Sequence, residues 1–208
     1  ATAYYAHSLA AYIVKENPRI KQVFDSWKAQ GGTKETFMSN LQKNQELKHI
    51  LLAHSRSVAD KALWIAGKHP ELNLDKQFLE EAAMLHDIGI FMTDAEGICC
   101  FGSYPYICHG YLGADLMRKE GFPRHALVCE RHTGAGMSLQ SIIDQQLPVP
   151  HRNMVPVSLE EQVICFADKF FSKTHLDREK SVEKALKSIS RYGEDGIIRF
   201  NHWCECFL

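Results

Sequence analysis

Apolar residues recur three and four positions apart through most of the 208-residue chain, the spacing of one face of a helix. No stretch combines strict apolar–polar alternation with β-branched enrichment and flanking turn signals over a useful length, so the pattern predicts an all-α fold. Helices are expected over 2–15, 18–29, 34–43, 46–68, 75–88, 109–120, 124–132, 138–146, 158–173, 181–191 and 195–205. Punctuation supports these limits: the glycine pair 31–32, His69-Pro70, Gly89, Gly121 ahead of Phe122-Pro123, and Leu147-Pro148-Val149-Pro150 all interrupt helices. Ser158 followed by Glu161 has the spacing of a capping box. There is no internal repeat. Two segments, 90–108 and 147–157, read as irregular, and loops that long in a compact domain are often functional.

The apolar stripes carry polar residues where a core would ordinarily exclude them. His54 sits among Leu47, Ile50, Leu51, Val58, Ala62 and Ile65; Phe78, Leu79, Ala82 and Ala83 lead to His86, with Asp87 beside it and Gly89 closing the helix. His109 aligns with Leu112, Gly113 and Leu116, His132 with Val128 and Cys129, and Asp168 lies between Ile164 and Phe171. Three of the other histidines, His7, His69 and His151, fall at segment ends or in loops. One histidine on an apolar face is more often a hydrogen-bonded core residue, and a single His-Asp dipeptide is weak as a motif. A buried carboxylate is harder to dismiss, because unpaired it costs several kcal/mol. Four His and two Asp aimed inward, with no Lys or Arg on the same stripes, are most economically explained by shared metal ions. Imidazole with carboxylate suits Fe, Mn, Zn, Co or Ni rather than Mg or Ca. The last turn of the helix ending at the His-Asp pair also favours a cation through its unpaired carbonyls and macrodipole.

Length and a 45% hydrophobic content suffice for one core with appended helices. The expected organisation is an N-terminal helical extension packed on the core over 1–45, a metal-binding bundle over 46–175 and C-terminal helices over 176–208. The net charge of −1 and isoelectric point near 6.9 provide no basic field of the kind that binds nucleic-acid polymers. Seven cysteines at irregular spacings read as reduced thiols of a cytoplasmic protein. No stretch approaches the ~18 continuous apolar residues of a membrane span, and the first residues lack the basic start and apolar run of a signal peptide.

Taken in order, His54, "LHDIGI" (85–90), "CHGYLGADLM" (108–117), "RHTGAG" (131–136) and "FADKF" (166–170) resemble the HD-domain metal-dependent phosphohydrolase superfamily, HDIG type, over roughly 48–173. The resemblance implies a helical bundle around a buried metal site. By it, His54, His86, Asp87 and Asp168 hold one metal, His109 and His132 hold a second, and Asp87 bridges the two, so two divalent transition-metal ions are expected. The "HTGAG" element is similar to that of two-iron HD hydrolases of symmetrical dinucleoside polyphosphates and of small HDIG proteins of similar length. Many HDIG proteins have Lys directly after the motif, where this chain has Ile90 and Phe91.

The implied activity is hydrolysis of a small phosphate, a nucleotide above all, with Asp87 orienting a metal-activated water. Lys169, directly after Asp168, and Arg131, directly before His132, are the expected phosphate contacts, against the plainer view of both as ion-paired or solvated cations. The amides of Gly134 to Gly136 are expected to form an anion-binding nest, although glycines there also serve simply to relieve a turn. Cys99 and Cys100 are read as loop residues. Two other functions fit the same ligand set: a di-iron oxygenase, and a non-catalytic metal-binding module.

Overall fold

Eight α-helices follow the apolar periodicity in a computed structural model that describes residues 45–176 and 178–208. The expected helices 2–15, 18–29 and 34–43 lie outside the described residues. Helix α1 (Gln45–Lys68) buries Leu47, Ile50, Leu51, Val58, Ala62 and Ile65 along one face, with His54 in the same stripe. Helix α2 (Lys76–Leu85) opens on Asp75, whose side chain accepts the amide of Phe78, satisfying one of the donors a helix start leaves open. Helices α3 (His109–Lys119) and α4 (Pro123–Arg131) are joined through Gly121, at φ +84, and Pro123 starts α4 at a position that needs no amide donor.

Helix α5 (Leu139–Asp144) is short. Helix α6 (Leu159–Asp168) is capped by Ser158, which accepts the Glu161 amide, while the Glu161 carboxylate takes the amide of Val157 rather than that of the cap itself. Helices α7 (Val182–Ile189) and α8 (Glu194–Phe207) complete the chain. No helix among the described residues is long and apolar enough to cross a membrane.

Helix α6 is the centre of the core. Val163, Ile164, Phe166 and Ala167 on it are fully buried, and the Phe166 ring meets Phe170, Phe200, Phe207 and Trp203 at centroid distances of 5.0, 5.2, 5.5 and 6.5 Å. Through those rings α8 packs on the same apolar cluster that α1, α2 and α4 bury. A second, smaller cluster of Cys108, Met137, Ile142, Val149 and Met154 lies under the segment after α5.

The elements depart from the periodic pattern in three places. Helix α2 stops at Leu85 rather than 88, and α6 stops at Asp168 rather than 173; in both cases the chain tightens into turns beside a buried acidic residue. Segment 90–108, expected to be irregular, carries short 3-10 turns and a small sheet of β1 (Thr93–Ala95), β2 (Cys100–Phe101) and β3 (Tyr104–Pro105) in the order β2-β1-β3. Asp94 lies opposite Phe101 in the antiparallel pair, and β3 runs parallel to β1. Strands of two or three residues are too short to produce a readable alternation.

The turn after α2 is pinned by a backbone-to-backbone approach. A Cβ at Gly89 would fall 2.2 Å from the His109 carbonyl oxygen and 2.6 Å from the Gly113 amide nitrogen, so only glycine lets the His-Asp turn seat against the first turn of α3. Gly89→Ala should therefore cost about 3 kcal/mol or more and move His109 away from Asp87. Urea unfolding and metal content read the two effects. A variant with parental stability would mean that this contact does not set the position of α3.

Candidate metal centre

Five helices deliver six side chains to one buried point. His54 comes from the middle of α1, His86 and Asp87 from the turn ending α2, His109 from the first residue of α3, His132 from the residue after α4, and Asp168 from the last residue of α6. All six are buried, Asp87 completely. All six predicted metal ligands are thus brought together.

Three of the imidazoles are held in the same way. The Nδ1 atoms of His86, His109 and His132 lie 2.6, 2.6 and 2.8 Å from the carbonyl oxygens of Ala83, Tyr106 and Cys129. A carbonyl only accepts, so Nδ1 carries the proton and Nε2 is turned to the centre. There the two oxygens of Asp87 divide the histidines into pairs. Oδ2 lies 3.2 Å from Nε2 of both His54 and His86. Oδ1 lies 3.5 and 3.4 Å from Nε2 of His109 and His132. Asp168 Oδ1 joins the first pair, 2.9 Å from His54 and 3.5 Å from His86.

The donor set fits metal ions on three grounds. His109 Nε2 and His132 Nε2 face each other at 3.0 Å with their protons committed on the far side of each ring, so two lone pairs oppose one another unless an electrophile lies between them. His54 Nδ1 has no hydrogen bond, and Asp87 Oδ1 also lacks one, costly states for buried polar atoms. Finally, ligand atoms of His54, His86 and Asp87, and of Asp87, His109 and His132, lie within 4.8 Å of one another, as two sites sharing one carboxylate require.

The electrostatics reflect burial opposed by neighbours. Burial would lower His86, but the carboxylates of Asp87 and Asp168 overcome it and raise its pKa to about 9. Burial drives His109 down to about 3 and lowers His132 as well, so both are neutral imidazoles. Burial would raise Asp87 and Asp168, yet the ammonium of Lys173 for the first and of Lys169 for the second, with the adjacent histidines, hold both well below the usual carboxylate range.

Those two lysines overturn one expectation. The inward stripes read as free of Lys and Arg in the sequence, whereas Lys169 Nζ lies 2.6 Å from Asp168 Oδ2 and Lys173 Nζ lies 2.6 Å from Asp87 Oδ2. The cause is the early end of α6. Along a continuous helix Lys173 would stand well over a quarter-turn from Asp168, but the chain turns at 169–171 and brings its side chain back to the centre. Nothing in the periodicity signals it. Tyr106, stacked on His109 at 4.6 Å, is likewise hidden inside the segment that reads as irregular.

Among the expected substrate contacts, Lys169 and Gly134 line a cleft of about 130 Å³ that reaches His109, His132 and Asp168, together with Lys173, Lys180 and Tyr192. Arg131 does not line it: its guanidinium pairs with Glu161 at 2.8 Å, which makes it a tie between α4 and α6 rather than a phosphate contact. Gly136 also stands away. Its amide already donates to the Thr133 carbonyl at 3.0 Å and the space a Cβ would take belongs to Pro156, so it cannot contribute to an anion nest.

A model of the HD domain matches residues 51–172. The chain belongs to the HD domain family. Over 151 residues it is 34% identical to a tRNA (cytidine(56)-2'-O)-methyltransferase of Thermoplasma volcanium, an alignment covering 72% of this chain and 39% of that one. An uncharacterized protein of Methanocaldococcus jannaschii is 29% identical over 158 residues, covering 75% of this chain and 84% of its own length. A second tRNA (cytidine(56)-2'-O)-methyltransferase, from Picrophilus torridus, is 28% identical over 131 residues, 62% of this chain and 34% of its own. The chain thus spans well under half the length of the two methyltransferases it matches. No solved structure matches it. HD domains bind divalent metals, and the six buried ligands stand within the matched residues.

If His109 and His132 serve a second ion, replacing both with Ala should remove about half of the bound metal and leave the first site loaded; an unchanged metal count would make them ordinary core histidines. His86 adds a pH effect. Its pKa is raised above the 6.5 of an unfolded chain, so in metal-free protein its charge stabilises the fold fully below pH 6.5 and that contribution is lost as pH rises towards 9. Ligation displaces the proton, so loading near pH 7.5 should release about one proton from this residue. The melting difference between loaded and chelated protein should then widen from pH 6.5 to 9. A constant difference, with no proton released in weakly buffered solution, would contradict the assignment of His86 as a ligand.

Proposed function

We propose that this HD domain is a binuclear metal-dependent phosphohydrolase, cleaving a phosphoester or phosphoanhydride of a small nucleotide or related phosphate. The observation that carries the reading is the division of the Asp87 carboxylate, Oδ2 towards His54 and His86 and Oδ1 towards His109 and His132. A carboxylate shared in that way is suited to bridging two cations. Two bound divalent transition metals supply an acidified water and charge neutralisation for in-line displacement at phosphorus.

The chain's own residues do the rest. Carbonyls of Ala83, Tyr106 and Cys129 orient three imidazoles before any ligand arrives, so little reorganisation accompanies binding. Asp87 and Asp168 provide the anionic ligands, and Lys169 and Lys173 add positive charge where a phosphate would sit. Hydrolysis joins the oxygen of water to phosphorus and breaks the bond to the leaving oxygen, which takes up a proton.

The methyl transfer named for two relatives is not carried over, because this chain spans 39% and 34% of their lengths and its buried centre presents metal ligands. The near-neutral net charge fits a small phosphate better than a polyanion.

The test is turnover of a phosphate-ester panel by protein loaded with Mn, Fe, Co, Ni or Zn, run with and without oxygen. Hydrolysis should be independent of oxygen and abolished by chelation, and Asp87→Asn should lose metal at both sites and activity on the order of a hundredfold or more. Turnover that requires oxygen would assign a di-iron oxygenase instead, and full metal loading with no turnover of any ester would leave a metal-binding module.

A further inference from the structure

The lining of the cleft carries more positive charge than the ligands need. Lys169, Lys173 and Lys180 line it, against one lining carboxylate, Asp168. The three are tied down unequally. Lys169 is held twice, by Asp168 and by donation to the His132 carbonyl at 2.9 Å. Lys180 reaches the carbonyls of Phe171 and Lys169 at 3.3 and 3.4 Å. Lys173 instead projects inward to Asp87 Oδ2 at 2.6 Å, with its side chain 13% exposed and the Tyr106 ring 5.9 Å from its ammonium.

That position cannot be kept when the centre is loaded. A cation held by His54, His86 and Asp87 would compete with the ammonium for the Asp87 carboxylate, and two positive groups drawn to one carboxylate repel. Lys173 has a flexible four-carbon stem and a compact charge, and it already lines the cleft, so the ammonium has a place to go: outward, over the metal ligands. The charge balance then points to its partner. Asp87 and Asp168 offset Lys169 and Lys173, so two divalent cations would add four positive charges that these two carboxylates do not balance. Ile90 and Phe91, both buried, contribute none. A desolvated site of that charge is completed best by the most highly charged phosphate that fits.

We propose that Lys173 is a substrate-binding residue and that it selects the dianionic phosphate of a phosphomonoester over the singly charged phosphate of a diester; the inference rests on the hydrolase reading above. The cleft walls agree with an end-on phosphate. Phe171, Ile189 and Tyr192 line the side contributed by the chain around and after α6, and the Tyr192 ring is packed against Gly134 so closely that a Cβ there would fall 2.9 Å from it.

The experiment measures inorganic phosphate binding by calorimetry to metal-loaded parent, Lys173→Ala and Lys173→Arg, with metal content determined for each. Alongside it, kcat/KM is compared for p-nitrophenyl phosphate and bis-p-nitrophenyl phosphate. Lys173→Ala should keep its metal and weaken phosphate binding by about tenfold or more, the loss of one charge-assisted contact, and Lys173→Arg should recover most of it. The parent should prefer the monoester, and Lys173→Ala should lose much of that preference. Phosphate affinity within twofold of the parent in Lys173→Ala, no phosphate binding by the parent, or preference of the parent for the diester would each overturn the proposal. Should Lys173→Ala fail to fold, the ester comparison on the parent decides alone. Phosphate binding that depends on Lys173 without hydrolysis of either ester would retire the hydrolase reading and leave the dianion site standing; hydrolysis unaffected by Lys173 would do the reverse.

Discussion

The carboxylate of Asp87 is buried completely, and a charge in that position destabilises the fold by several kcal/mol unless groups on every side answer it. Four imidazole nitrogens and one ammonium do so, from the middle or ends of α1, α2, α3, α4 and the turn after α6. Each of those elements has to arrive at one point, and that requirement explains features that packing alone does not. Helix α2 stops at Leu85 so that consecutive residues, His86 and Asp87, can both face inward. Gly89 lets the turn touch the backbone of α3, which brings His109 within reach of Oδ1.

The centre is prepared by ordinary backbone chemistry. Carbonyls in the last turn of a helix lack intrahelical partners, and those of Ala83 and Cys129, together with that of Tyr106 ahead of α3, fix the protonated nitrogen of a histidine. The lysines extend the same arrangement outward. Lys169 links Asp168 to the carbonyl of His132, and Arg199 of α8 donates to the carbonyls of Ala135 and Gly136 at 2.8 and 2.9 Å. The glycine-containing turn after His132 is therefore held from both α6 and α8. The C-terminal helices, which lie beyond the matched HD residues 51–172, serve the centre by packing on Phe166 and by walling the cleft with Ile189 and Tyr192.

A charged core of this kind also separates structural cations from functional ones. Arg131 is a reasonable phosphate contact by its place beside His132, yet its guanidinium is spent on Glu161, the same carboxylate that takes the Val157 amide ahead of α6. Glu130 is bound in the same manner by Arg118 and Arg152. Lys173 lies four residues beyond Lys169 and nothing in the sequence around it sets it apart, but it reaches the one carboxylate on which the centre depends.

The sequence by itself determined the helical class and the six inward-facing candidate ligands, because helix geometry repeats every 3.6 residues and a polar side chain on an apolar stripe is aimed inward wherever the helix finally packs. His54 among Leu51 and Val58, or Asp168 among Ile164 and Ala167, carries that information locally. What only the tertiary structure decided are the features set by where periodicity stops and by who meets whom across the core. These include the ends of α2 and α6, the strands of two and three residues within 93–105, the return of Lys173 to Asp87, and the pairing of Arg131 with Glu161. Each depends on a distance between elements far apart along the chain, or on a turn too short to leave a period, and neither leaves a local trace in the order of residues.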